Sequence, residues 1–293
     1  MGLDDMQRMA RAVEDNWGAA WASLGYLPDL PRTHLDETPD FIRVYTPGAP
    51  EMLLNLVMRY TASTPVGPDD VERTIAPYRK HDLPFQWWLT LGLEPPGLRE
   101  SLRAIGMQHA WGGATSMYLP LADWHPRNRP PAPETLLGRA TTPDDERDAL
   151  RVVCEVFFVP SAPMARWTVN NPAFDVYCAR LTGRVVAALA TLRRGEVVGV
   201  YHVATLPAAR RQGIAGNLLT LALRAAQQAG CTLATLTATP EARHLYETLG
   251  FRSCGTIEQW IPGPELTYNL LQGRLSSGAS GRIDTDLADY PDY

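Results

Sequence analysis

The chain has 293 residues, of which 45% are hydrophobic, and its formal net charge is −5 at pH 7. This length suits one large or two ordinary domains, and the apolar content is sufficient for packed cores. The acidic balance argues against nucleic acid as a partner, and the lack of a long apolar run or a signal-peptide pattern predicts a cytoplasmic protein without a membrane partner.

The four cysteines, Cys154, Cys178, Cys231 and Cys254, form no CxxC pair and no set with histidine. Metal sites and redox motifs need such spacing, so the sequence predicts no metal site. We expect all four residues to be reduced thiols that are mostly buried in the core.

The N-terminal part contains one predicted strand and one predicted helix with clear boundaries. Residues 85–91 are apolar and aromatic, which is typical of a strand. Pro96 suits the first turn of a helix and Gly106 suits a left-handed end, so we expect a helix between them.

A proline-rich, polar break at 124–133 predicts a semi-rigid, extended linker. We place this linker at 126–134. It would separate an N-terminal domain at 1–125 from a C-terminal domain at 135–264.

The C-terminal domain is predicted to mix helices with several strands. Its first elements are a strand at 136–140, a helix at 143–158, a broken helical segment at 160–171, and strands at 174–181, 184–192 and 197–204. Thr182 and Gly183 suit the turn of a hairpin between two of these strands.

Residues 205–215, with the sequence TLPAARRQGIA, join the last of these strands to a helix predicted at 216–229. The first N–H groups of a helix have no partner within it, and the helix dipole is positive at that end. Gly213 lets the backbone approach a ligand closely, while Arg210 and Arg211 add positive charge and forked donors. The loop therefore predicts a phosphate site. It matches neither the dinucleotide fingerprint nor the Walker loop.

A second motif follows a short strand predicted at 232–236. Pro240 and Gly250 suit the start and the end of a helix, and a closing strand is expected at 254–261. The apolar residues of that helix recur at intervals of three and four, which places them on one face. They are Ala242, Leu245, Tyr246 and Leu249.

These two motifs resemble those of the GCN5-related N-acetyltransferases, the GNAT family. The pyrophosphate loop of that family has the pattern Arg or Gln, two residues, Gly, one residue, Gly or Ala, and Arg210, Gly213 and Ala215 fit it. The string LYETLGF at 245–251 is similar to the second GNAT motif. The resemblance covers residues 136–262 and implies an α/β fold, the GNAT fold, in which a mixed, mostly antiparallel sheet is flanked by helices.

The resemblance also implies an enzyme that moves an acyl group from acetyl-CoA, or another acyl-CoA, directly to an amine of a small molecule or peptide. Tyr246 would protonate the departing thiolate. The residues implied in holding the cosubstrate are Val203, Ala204, Thr205, Arg210, Arg211, Gln212, Gly213, Ile214, Ala215, Gly216 and Thr239. Thr239 stands where the family often has asparagine, seven residues before the tyrosine.

A general base has to remove a proton from the acceptor ammonium, and a histidine titrates in the useful range. We favour His202, which strand alternation places on the face opposite Tyr201 and Val203. The other candidates are Asp175, Glu196 and Glu258. An acceptor cleft between the domains could be lined by Trp87, Trp88, Trp167, Trp260 and Tyr201.

Sliding the N-terminal part against the C-terminal part by 144 residues aligns Pro96 and Gly106 with the proline and glycine of the second motif. This internal similarity predicts two GNAT-like domains in tandem. At this offset Leu102 stands in place of the tyrosine, and Asp69, beside Asp70, stands in place of the loop glycine. Because two carboxylates would repel a pyrophosphate, we expect the N-terminal domain to be degenerate and unable to bind the cosubstrate.

Residues 265–293 have the composition of a flexible acidic tail. Two other functions stay open on the sequence alone. One is a non-catalytic acyl-CoA-binding or regulatory module, since a fold does not fix a function. The other is an acyltransferase of natural-product biosynthesis whose donor is a long-chain acyl-CoA or an acyl carrier protein, which presents the same phosphopantetheine arm.

Overall fold

The computed structural model of the protein describes residues 3–23, 33–47, 52–61, 64–126, 130–157 and 171–263. The helices are α1 (Leu3–Ala22), α2 (Pro68–Lys80), α3 (Leu98–Ala104), α4 (Pro143–Phe157), α5 (Ile214–Gln228) and α6 (Arg243–Thr248). The strands are β1 (His34–Glu37), β2 (Ile42–Tyr45), β3 (Leu56–Met58), β4 (Gln86–Thr90), β5 (Met107–Pro120), β6 (Thr135–Arg139), β7 (Phe174–Leu181), β8 (Arg184–Arg194), β9 (Val197–Thr205), β10 (Leu233–Ala238) and β11 (Arg252–Pro262). The predicted tail and Trp167 lie outside the described residues.

These strands form one sheet in the order β1-β2-β3-β4-β11-β5-β10-β9-β8-β7-β6. Within the described sheet, β3 pairs in parallel with β4 and β9 pairs in parallel with β10, while the other neighbours are antiparallel. Helices pack against the sheet on both faces. The predicted α/β fold with a mixed, mostly antiparallel sheet is confirmed.

Strands from the two parts of the chain are interleaved at the centre of the sheet. β11 lies between β4 and β5, and β5 lies between β11 and β10. The predicted linker at 126–134 therefore joins two parts that build one sheet together and not two separate sheets. The division of the chain into domains stays a prediction.

The two parts show the same succession of elements. β3-α2-β4-α3-β5 in the first part matches β9-α5-β10-α6-β11 in the second, and each series contains a parallel strand pair. In each series, the parallel pairing ends at Val57 or Val200, and the non-glycine residue two positions later has a positive φ: Arg59 at 51° and His202 at 55°. They are 143 positions apart, which is close to the offset found in the sequence.

The helices divide between two faces. α1 and α4 contribute to one buried cluster, which includes Trp21, Leu150 and Val176. α5 and α6 contribute to a cluster on the opposite face, which includes Leu219 and Tyr246. Helix α1 crosses the middle of the sheet, where it contacts β5 and β8 to β11. It therefore covers the strands that carry the second of the two series.

Some elements begin at other residues than the sequence predicts. α5 starts at Ile214, two residues early, because Gly213 adopts a left-handed conformation at its N-cap. α6 starts at Arg243 and not at Pro240, since the Thr239 carbonyl accepts the N–H of Arg243 at 3.1 Å in a preceding turn. Helix α1 was not predicted. The four cysteines are buried and free, as expected.

Gly199 allows α1 to lie directly on β9. A Cβ atom at this position would come within 1.8 Å of Asn16 Oδ1 and 2.7 Å of the Tyr201 hydroxyl. Asn16 also accepts a hydrogen bond from that hydroxyl, and its amide donates to the Leu192 carbonyl at 3.4 Å. The contact of α1 with the sheet depends on this missing side chain.

We predict that Gly199→Ala lowers the free energy of unfolding by about 1–3 kcal/mol, because the added methyl group forces α1 away from β9. Urea denaturation measures this change. Gly138→Ala is the control, since no atom lies within 4 Å of a Cβ built there. Equal stability of the two variants would contradict the prediction.

Candidate active site

A slot opens in the sheet where β9 and β10 stop pairing. Their parallel register ends at Val200 and Leu236. Beyond these residues, β9 pairs with β8 on its other side and β10 pairs with β5 on its other side. From Tyr201 to Thr205, the edge of β9 that faces β10 therefore has no described strand against it. A ligand with an extended chain and amide groups can pair with such an edge.

A β-bulge turns β9 at the start of this slot. The register with β8 shifts between Ala188 and Ala190, and His202 has a φ of 55°. The prediction that His202 lies opposite Tyr201 is wrong, because a bulge interrupts the alternation of side chains. Tyr201 belongs to the core under α1 and α4, and His202 lines a cleft against α4 on the same face. Val203 packs against the opposite core.

The loop after β9 presents backbone donors at the start of α5. Pro207–Ala209 form a 3-10 turn, and Arg210 Nε donates to the Thr205 carbonyl at 3.0 Å. Gly213, with a φ of 77°, occupies the N-cap of α5. The backbone N–H groups of residues 212–215 find no acceptor in the described structure. They are available to an anion at the positive end of the helix dipole.

Side chains add positive charge and a polar partner to these donors. Arg210 and Arg211 are exposed and take part in no ion pair within the described part of the chain. Gln212 anchors its amide on the Ala208 carbonyl at 3.2 Å. Thr205 Oγ1 is buried without a hydrogen-bond partner, so a ligand that enters here can satisfy it. The set fits a diphosphate and the start of an attached polar chain.

Tyr246 lies beside the slot on the α5 face. Its ring is buried, has its centroid 5.9 Å from that of Phe251, and shares a cluster with Leu236 and Ala238 of β10. The described residues give its hydroxyl no hydrogen bond. Burial raises the pKa of this phenol above its usual value of 10. Tyr246 therefore keeps its proton at neutral pH and can give it to a strong base formed nearby.

The predicted cosubstrate residues come together around the open ends of β9 and β10. Val203, Ala204 and Thr205 form the last residues of β9, and residues 210–216 follow in the loop and the first turn of α5. Thr239 directly follows β10 and is exposed. The geometry thus groups these residues at one end of the sheet, while their roles stay predictions.

His202 lines a small cleft of about 10 Å³, which has room for about one water molecule. The cleft lies between α4 and the sheet, and Glu146 and Leu150 contribute to its wall. Burial lowers the pKa of the imidazole from 6.5 to about 4. The ring is therefore neutral at pH 7. With so low a pKa, the imidazole is too weak a base to remove a proton from an ammonium efficiently.

The other three base candidates lie away from the slot. Asp175 sits on β7, two strands from β9, and forms an ion pair with Arg139. Glu196 precedes β9 at the opposite end from the loop. Glu258 sits on β11, three strands from β9, and forms an ion pair with Arg99 at 3.2 Å. The structure does not bring any of them together with Tyr246.

Among the described aromatic residues considered for an acceptor cleft, most lie in the core, which is the alternative that the sequence also allows. Trp87 and Trp260 are buried in the core with α2 and α3, at 0% and 2% exposure. Tyr201 is buried under α1. Trp88 is half-buried and packs with Trp17, a residue of α1 that the sequence did not single out.

Sequence reasoning missed the residues that α1 brings to the sheet. Trp17 Nε1 donates to Thr237 Oγ1 of β10 at 3.0 Å. Glu14 is buried, accepts a hydrogen bond from Thr90 at 2.6 Å, and has its pKa raised by burial. The apolar face of residues 10, 13, 17, 20 and 21 has helical spacing and was the available signal.

The described residues contain no group of three or more His, Cys, Asp or Glu side chains that could hold a metal ion. None of the described helices has both the length and the apolar character needed to cross a membrane.

Comparison with known proteins assigns the family. A family model described as "Acetyltransferase (GNAT) family" matches residues 144–251, which include the slot, the loop and Tyr246. Residues 144–251 are therefore a domain of the GNAT family. GNAT enzymes transfer an acyl group from acyl-CoA to an amine, and this is the general activity of the domain. No curated protein matches the chain.

Solved structures share the fold over most of the chain. A GCN5-related N-acetyltransferase from Kribbella flavida is 20% identical, with a TM-score of 0.65 over 87% of this chain and 98% of its own. One from Sphaerobacter thermophilus is 15% identical, with a TM-score of 0.59 over 87% and 94%. A tandem GNAT protein from the clavulanic acid biosynthesis pathway is 15% identical, with a TM-score of 0.55 over 86% and 97%. The fold similarity thus extends beyond the GNAT domain into the N-terminal part.

We predict that His202 makes the stability of the GNAT domain depend on pH. Its folded pKa lies below the unfolded value of 6.5, so the unfolded chain binds the proton more tightly. The stabilisation is complete above pH 6.5 and is lost as the pH falls towards 4, by up to about 3 kcal/mol. His202→Gln should therefore flatten the fall of unfolding free energy between pH 7 and 4.

Urea denaturation across this pH range measures the effect. His125→Gln is the control, because His125 is exposed and lies outside the cleft. A His202→Gln profile that follows the wild-type curve would show that the imidazole is not shielded in the folded protein.

Proposed function

We propose that the protein is an N-acyltransferase that binds acyl-CoA in the slot between β9 and β10 and transfers the acyl group to the amine of a small molecule or peptide. One observation carries the proposal: the parallel pair opens after Val200 and Leu236, next to a loop whose donors stand at the start of α5. The open strand edge suits the amide groups of a pantetheine chain, and the loop suits the diphosphate at the other end of that chain.

The loop is the proposed site of the CoA diphosphate. The N–H groups of residues 212–215 and the guanidinium groups of Arg210 and Arg211 supply donors and positive charge. Val203 and Ala204 would offer backbone groups to the pantetheine amides, and the buried Thr205 hydroxyl would gain its missing partner. Bound acyl-CoA supplies the activated acyl group, and the protein supplies its position.

Tyr246 is the proposed acid. Its raised pKa keeps the phenol protonated, and it lies against β10 on the α5 side of the slot. Transfer of its proton to the sulfur lets the thiol leave without a bare negative charge, and the proton that the acylated nitrogen loses restores the phenol. The absence of a competing hydrogen bond among the described residues leaves the O–H group able to turn towards that sulfur.

The amine is proposed to approach from the side of α4, where the small cleft lies. The Glu146 side chain contributes to its wall and brings negative charge, which favours an ammonium. His202 is neutral there and can accept a hydrogen bond from the amine, which orients it towards the slot. With a pKa of about 4 we assign His202 this positioning role and not that of the final proton acceptor.

The N-terminal part is proposed to be a degenerate GNAT-like half. The repeated succession of elements and the paired positive φ values support a duplication. At the start of α2, the Asp70 carboxylate accepts a hydrogen bond from the Gly67 N–H at 2.9 Å. This carboxylate occupies the end of the helix where a diphosphate would otherwise bind. Pro68 removes one donor, and Leu102, in the position of the tyrosine, is fully buried. These features leave no place for a second acyl-CoA.

We predict that Arg210→Ala and Arg211→Ala each raise the Kd for acetyl-CoA about tenfold, because each removes a charge-assisted contact to the diphosphate. Isothermal titration calorimetry measures this change. Arg224→Ala is the matched control, since Arg224 is an exposed arginine further along α5. Failure of the wild-type protein to bind any CoA thioester would overturn the proposed function.

We predict that Tyr246→Phe lowers kcat about a hundredfold and leaves the Kd for acetyl-CoA unchanged, since only the transferred proton is lost. Wild-type protein is first incubated with acetyl-CoA and an amine library, and mass spectrometry identifies an acceptor. Thiol release then gives kcat. Tyr177→Phe is the control, because Tyr177 is a buried tyrosine of the same cluster. Equal kcat in the two variants would remove Tyr246 from the mechanism.

A further inference from the structure

We infer that Trp17 of α1 determines which acyl chains the enzyme accepts, because its indole closes the inner end of the slot. This inference rests on the proposed function and extends it to the donor. It assigns a specificity role to a residue that lies outside the segment matched by the family model, 144–251.

The indole lies at the point where the two strands part. Val200 and Leu236 are the last paired residues, and Thr237 is the next residue of β10. Trp17 Nε1 donates to Thr237 Oγ1 at 3.0 Å, and the Trp17 ring meets the Tyr201 ring edge-on at 5.0 Å. A single side chain thus contacts both walls of the slot, one residue beyond their last pair.

The surroundings hold this side chain in place. The Trp17 ring centroid lies 4.6 Å from that of Trp21 and 5.2 Å from that of Trp88. The neighbouring Asn16 accepts the hydrogen bond of the Tyr201 hydroxyl. A rotation of the indole would break these contacts and leave Thr237 without its donor, so the wall is rigid.

The acyl end of the donor has to approach this wall. The loop at Arg210 fixes the diphosphate end, and the open edge of β9 runs from Thr205 back to Tyr201, about 13 Å for four strand residues. An arm that follows this edge brings its thioester to the place where the strands join. Tyr246 lies on the α5 face, where it would meet the sulfur, so the acyl chain extends towards the α1 face and Trp17.

A short acyl group fits this geometry better than a long one. The indole leaves the carbonyl at the strand junction within reach of the cleft at His202, but additional methylene groups would run into a ring that cannot move. Replacement of Trp17 by a small residue removes that wall while the loop and the β9 edge keep their shape. The wild-type enzyme is therefore specific for short acyl chains.

Binding of CoA, acetyl-CoA, butyryl-CoA and hexanoyl-CoA by titration calorimetry tests the inference. We expect the wild-type protein to bind hexanoyl-CoA at least tenfold more weakly than acetyl-CoA. In Trp17→Ala this preference should disappear, while the Kd for CoA without an acyl group stays within twofold. Trp17→Phe, which keeps an aromatic ring in the cluster, should give an intermediate preference for the short chain.

Trp21→Phe is the matched control, because Trp21 is fully buried and its ring packs against that of Trp17 in the same cluster. It should keep the wild-type preference. If Trp17→Ala does not fold, the chain-length preference of Trp17→Phe alone tests the inference. An unchanged chain-length preference in the folded Trp17 variants, with CoA still bound, overturns this inference and leaves the proposed function intact. Failure of the wild-type protein to bind CoA at all overturns the proposed function itself.

Discussion

The separation of β9 from β10 is the constraint on which the site depends. The two strands hold each other as far as Val200 and Leu236, and the left-handed conformation at His202 then breaks the regular register of β9 with β8. A buried backbone group that loses a strand partner costs about 1–3 kcal/mol unless another group replaces it. An acyl-CoA arm carries amides that meet this need without adding a strand. The proposed binding of acyl-CoA would therefore account for this gap in the sheet.

This opening requires both parts of the chain. β10, one wall of the slot, pairs over its whole length with β5 from the N-terminal part, and α1 covers the same strands. Without that part, β10 would present an unpaired edge and the core under α1 would be exposed to water. The N-terminal half thus supports the GNAT domain and contributes Trp17 to it, although its own helix start at Asp70 is already capped.

Features that depend on local chain chemistry were predictable from the sequence. Gly213 indicated the turn into a helix, and it lies at the start of α5. Helical spacing placed Tyr246 on a buried face, where it lies. No glycine or proline marks the bulge at His202 in the sequence. The regular alternation of side chains along a strand therefore predicted the wrong face for His202. The bond between Trp17 and Thr237 joins residues 220 positions apart, and the pairs of β5 with β11 join residues as far apart as Met107 and Pro262. No local pattern encodes such contacts.

Burial shifts the two ionisable groups near the slot in opposite directions, and both shifts favour the neutral form. The pKa of Tyr246 rises and that of His202 falls to about 4, so neither side chain carries a charge at pH 7. The positive charge of the site is confined to the far end, at Arg210 and Arg211. In the proposed complex, the diphosphate would lie where water screens the arginines, and the thioester would reach a place with little fixed charge. A neutral amine, which is the form that attacks a thioester, can enter such a place without the cost of burying an ammonium.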